Sequence, residues 1–96
     1  MLPHFRKFVN VIYDAFEVNL MKHKYNTINY YLGNEIRKMR EGRGYTQEQF
    51  AEMCQISRAY YGRIERGEYN FTVEMCQRIA DGFGCHISEL FINLPL

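Results

Sequence analysis

Between Thr46 and Asn70 the residues TQEQFAEMCQISRAYYGRIERGEYN hold two sets of helix start and stop signals. They stand so close together that only two short helices and a tight turn fit between them. Thr46 is a good N-cap, and Gln49, three residues on, completes a capping box for the first free backbone N–H groups. Phe50, Ala51 and Cys54 then form one apolar face of about two turns. Ser57 caps the second helix, about 57–66, and Ile56 before it is placed to staple to Tyr61. At about 100° per residue, Tyr61 and Ile64 point one way, while Arg58, Ala59, Gly62, Arg63 and Arg66 fall on roughly the opposite side. Arg66-Gly67 closes the helix, glycine supplying a left-handed residue and arginine suiting the negative helix end. The result is a short rod anchored by one face, with guanidiniums and small residues on the other. That shape suits the major groove of DNA, which admits a helix and rewards arginine with paired bonds to guanine.

The chain around this pair reads as helical throughout. Over residues 1–21, Phe5, Phe8, Val9, Ile12, Tyr13, Phe16 and Leu20 follow helical spacing, with Arg6, Lys7, Asn10, Asp14 and Glu17 mostly opposite. Three fates are open to that apolar stripe: packing on its own domain, mating with a second subunit, or docking on a membrane or partner protein. Met21-Lys22-His23-Lys24 would also make a natural start for a shorter product. Residues 22–29 are polar and read as a linker, its lysines either a solvated hinge or an arm touching phosphates. A helix from about Tyr30 to Glu41 follows, with Leu32, Ile36 and Met39 inward, broken by Gly42 and Gly44. Thr72 caps another, with Val73, Cys76, Ile79, Ala80 and Phe83 inward and Gly84 at its end. A last short helix, about Ile87 to Ile92, precedes an apolar tail over 93–96. The expected fold is all-α: five helices in a domain over 30–92, preceded by the amphipathic N-terminal helix.

Composition narrows the function classes. A net charge of +1 gives no global cationic field, so nucleic-acid affinity has to come from a local patch. Cys54, Cys76 and Cys85 are odd in number and show no CxxC, which points to reduced thiols in a cytoplasmic protein. No apolar run approaches a membrane span, and the first twenty residues lack a signal peptide's apolar block. His4, His23 and His86 are scattered, with no HExxH and no nucleophile elbow. Neither catalysis, a metal nor a cofactor is expected.

A wider pattern runs through Leu32-Gly33, Ile36-Arg37, Arg40, Gly44-Tyr45-Thr46-Gln47, Phe50-Ala51, Ile56-Ser57 and Ile64-Glu65-Arg66-Gly67. It continues with Ala80, Phe83-Gly84 and Ser88-Glu89-Leu90-Phe91. In order and spacing this resembles the helix-turn-helix domain of phage repressors and Cro proteins, the XRE-like class. The resemblance implies a sequence-specific DNA-binding transcriptional regulator of the repressor type, acting as a dimer on a two-fold operator. It also places Gln47 on a phosphate and pairs Glu65 with Arg40 as an ion pair that holds the fold. Two positions depart from the family: Gln55 stands where glycine is usual, and Phe71 where proline is frequent.

The site expectations follow. Ser57, Arg58, Ala59 and Arg63 are the candidate base contacts, with Ser57 also serving as a cap. Thr46, Gln47, Arg66, Tyr69 and Asn70 are the candidate phosphate contacts, which set register without reading sequence. Tyr60 either packs against the helix after Thr72 or meets a phosphate, and Gly62 either permits a close approach to DNA or the preceding helix or is merely tolerated. The expected partners are double-stranded DNA and a second copy of the chain, joined through the N-terminal helix, Phe91, Ile92, Leu94 and Leu96. A competing reading is an antitoxin-like or adaptor protein whose N-terminal helix grips a partner protein.

Overall fold

The computed structural model describes residues 28–95. The amphipathic stretch over 1–21, most of the 22–29 linker and Leu96 lie outside the described residues. Four α-helices follow one another: α1 over 28–42, α2 over Gln47–Met53, α3 over Arg58–Glu65 and α4 over Val73–Phe83. A single 3-10 turn, Ile87–Leu90, ends the described fold, and no strand occurs among the described residues. The expected fifth α-helix is thus shorter than Ile87–Ile92 and tighter. His86 caps it by accepting from the Ser88 N–H, and Leu90 is wholly buried in the core.

Local chemistry sets each boundary. Thr46 accepts from the Gln49 N–H at 3.1 Å while the Gln49 side chain accepts from the Thr46 N–H at 2.9 Å, a reciprocal cap. Ser57 and Thr72 accept from the N–H groups of Tyr60 and Met75 in the same way. All four α-helices end on a left-handed residue: Gly44, Gln55, Gly67 and Gly84. Gln55, at φ 59°, has a Cβ to accommodate in that region, so the turn between α2 and α3 carries the strain its sequence predicts.

The start of α1 corrects the sequence reading. Ile28 and Asn29, assigned by polarity to the linker, are already helical, and α1 runs one residue past Glu41 to Gly42. Tertiary contacts override the weak local signal. The Asn29 amide donates to Asn70 Oδ1 at 2.9 Å, and a Cβ on Gly67 would stand 2.7 Å from the Tyr30 Cα. Further along, a Cβ on Gly33 would stand 2.3 Å from the Ile64 carbonyl oxygen. Glycine at both places lets the α1 and α3 backbones touch.

Phe50 is the centre of the core. Its ring stacks on Phe83 at 4.1 Å between centroids and meets Tyr61 edge-on at 5.6 Å. Ile36, Ile64, Ile79 and Leu90 close around them, all fully buried. Cys54 and Cys76 are buried thiols, and Cys54 Sγ lies 2.5 Å from where a Cβ on Gly82 would stand. Burial, with the Asp81 charge adding, pushes the Cys54 thiol up to about 12.

Candidate DNA interface

The anchoring of α3 comes first. Tyr61 is 0% and Ile64 1% exposed, whereas Arg58, Ala59, Arg63 and Arg66 all stand in solvent. One side of an eight-residue helix is therefore sealed into the core and the other is free. Glu65 extends the anchored side. It receives Arg40 Nε at 2.6 Å and Nη2 at 3.1 Å, the Tyr61 hydroxyl, and the Gln47 amide at 2.8 Å. Burial would raise its carboxyl, but the hydrogen bonds from Arg40, Tyr61 and Gln47 outweigh that and hold it below the usual carboxylate range. Arg40 also donates to the Tyr45 carbonyl at 2.7 Å. One buried group thus ties α1, the first residue of α2, and α3 into a rigid unit.

The candidate base contacts are brought together. Ser57 caps α3, Arg58 and Ala59 form its first turn, and Arg63 follows on the same exposed flank. Gly62 makes no close approach to α2. A Cβ there would meet only the flexible ends of Arg58 and Arg66, at 2.9 and 3.2 Å from their Nη1 atoms. The two guanidiniums lie across the glycine and hide it from solvent.

The candidate phosphate contacts fall in two groups. Thr46 and Gln47 sit at the start of α2, but the Gln47 amide is turned inward, with one N–H committed to Glu65. Arg66, Tyr69 and Asn70 share the wall of an open hollow of about 720 Å³ beside the start of α1. Arg66 is ion-paired to Glu68, whose carboxyl is lowered chiefly by that hydrogen bond. Asn70 holds Asn29.

The Tyr60 ring stacks on Tyr69 of the α3–α4 loop, 4.5 Å between centroids at 26°, and packs against the edge of the core. The Tyr69 hydroxyl in turn accepts from Arg63 Nη1 at 2.7 Å. Sequence reasoning also passed over Glu68 and Asn29. The opposite charge two places after Arg66 was a usable signal for Glu68, but nothing local marks Asn29. Arg43, likewise unremarked, donates to the Phe83 carbonyl and lies over the Phe83 ring at 4.8 Å, fastening the end of α1 to the end of α4.

Comparison with known proteins agrees with this geometry. A family model described as Helix-turn-helix (HTH_3) matches residues 36–90. The chain is 36% identical over 70 residues to a control protein, C.MunI, of Mycoplasma sp, covering 72% of this chain and 95% of that protein. It is 34% identical over 59 residues to the immunity repressor protein of Bacillus phage phi105, covering 62% of this chain and 41% of that one. Its backbone superposes on the restriction-modification controller protein C.AhdI of Aeromonas hydrophila with a TM-score of 0.63 and 29% identity, over 65% of this chain and 94% of that one.

Proposed function

The chain belongs to the repressor- and Cro-like helix-turn-helix family of DNA-binding transcriptional regulators, and from that premise we propose that it reads a two-fold operator as a dimer, with α3 in the major groove. The supporting observation is the division of α3: Tyr61 and Ile64 are sealed inside while Arg58, Ala59 and Arg63 are presented outside.

In this reading Arg58 and Arg63 pair with guanine edges, the Ala59 methyl meets a thymine methyl, and Ser57 combines capping with a base contact. Thr46, Arg66 and Asn70 grip phosphates on either side. Gln47 serves there too: Glu65 takes one amide N–H and fixes the side chain, which leaves the other N–H and the backbone N–H at the start of α2 to donate to a phosphate. The Arg40–Glu65 pair holds these elements in register and does no chemistry.

A single module of this size buries too little DNA for useful affinity, which is why a dimer on half-sites about one helical turn apart is proposed. Phe91 and Ile92, 41% and 68% exposed, are the described candidates for its contact. The regulator acts by occupying its operator, as a repressor.

Titration of a fluorescent duplex at rising salt tests the reading. The log of affinity should fall steeply with the log of salt concentration. Arg58→Ala should lose about tenfold or more on a duplex selected from a random pool, and change random-duplex binding only a few-fold. A flat salt response would favour the adaptor reading, and equal loss on both duplexes would dismiss base reading by Arg58.

A further inference from the structure

We infer that Tyr69 is a positioning residue for Arg63, holding its guanidinium in the posture from which α3 reads a base. The inference rests on the proposed base-reading role of Arg63. A surface arginine ordinarily samples many rotamers, and a paired bond to one guanine needs a single one, so freedom left in the unbound protein is surrendered on binding.

The geometry removes that freedom beforehand. Arg63 Nη1 donates to the Tyr69 hydroxyl at 2.7 Å, and the guanidinium carbon stands 5.5 Å from the centre of the Tyr69 ring. Tyr69 is held in turn from behind. Tyr60, three residues before Arg63 and therefore its neighbour on the same helix, stacks on Tyr69 at 4.5 Å and 26°. Both tyrosines are half-buried while Arg63 is exposed, so the support is more fixed than what it supports. Arg66, by contrast, is paired to the exposed carboxylate of Glu68. The Tyr69 hydroxyl accepts from Arg63 and makes no other hydrogen bond among the described residues, so its contribution is assigned to selective reading rather than to phosphate grip.

Tyr69→Phe keeps the ring and its stack and removes only the hydroxyl. Its binding, with that of Arg63→Ala and the double variant, is measured on the duplex the wild type selects from a random pool and on random duplex. Tyr69→Phe should lose about three- to tenfold on the selected duplex and less than about twofold on random duplex. The double variant should bind the selected duplex no more weakly than Arg63→Ala alone, because the hydroxyl acts through Arg63.

Equal loss of Tyr69→Phe on both duplexes would make the hydroxyl a phosphate contact and overturn the inference. Additive losses in the double variant would do the same. Tighter binding by Tyr69→Phe would overturn it from the other side, since Tyr69 would then be restraining Arg63 from the groove. If Arg63→Ala itself proves unselective, base reading by Arg63 fails first, and that is distinguishable because Tyr69→Phe is then compared with a variant that lost nothing specific.

Discussion

At the residue scale, Glu65 decides more than any other side chain. It is a buried carboxylate with four hydrogen bonds from three neighbours, which is how a charge survives in a small core. Because its folded-state pKa is depressed, folded protein binds fewer protons here than unfolded protein does. The stability this confers is complete above the ordinary glutamate value near 4.5 and is lost as pH falls through the depressed one. Melting temperature followed from pH 7 to pH 3 should therefore fall more steeply in wild type than in Glu65→Gln, which has no such proton to take up. Matching slopes would show that the carboxylate is not titrating as its surroundings require. The Arg40–Glu65 contact spans 25 positions, and no periodicity in the residues points to it. The expectation came from the family pattern alone.

Helices and turns show which parts of the fold a sequence can announce. The N-caps Thr46, Ser57 and Thr72 and the closing Gly67 and Gly84 were legible because each is decided within a few residues. The beginning of α1 was not, because it depends on Asn70 and Gly67 some forty residues away. The Tyr60–Tyr69 stack was hidden for a similar reason: it depends on the path of a loop whose residues carry no period. Two substitutions test this division. Gly33→Ala favours an isolated helix, yet in α1 its methyl would collide with the Ile64 and Glu65 carbonyls. Denaturant unfolding should show a loss of about 1–3 kcal/mol, and a gain would mean that the α1–α3 contact is looser than described. Gln55→Gly relieves the left-handed side chain in the turn between α2 and α3. After the extra freedom glycine has when unfolded, a net gain of about 0.5 kcal/mol remains, seen as a melting temperature about 2–4 °C higher.

For the whole molecule, a net charge of +1 means that position matters more than amount. Among the described residues, the arginines proposed to meet DNA, Arg58, Arg63 and Arg66, are gathered on α3 and its cap, while acidic residues such as Glu48, Glu52 and Glu74 lie exposed on the other helices. A single such face binds weakly, so oligomeric state sets the useful affinity. The proposed dimer predicts a mass of two chains for wild type by light scattering and of one chain with serine at both Phe91 and Ile92, with selected-duplex affinity falling alongside. An unchanged mass would move the contact elsewhere on the chain.

The packing of Cys54 against Gly82 carries one more consequence. Its sulfur is sealed between α2 and α4 and almost wholly protonated at neutral pH, so an alkylating reagent meets it only after those helices part. The pace at which that sulfur is tagged in native protein is a clock for the opening of the core, built in without any added probe.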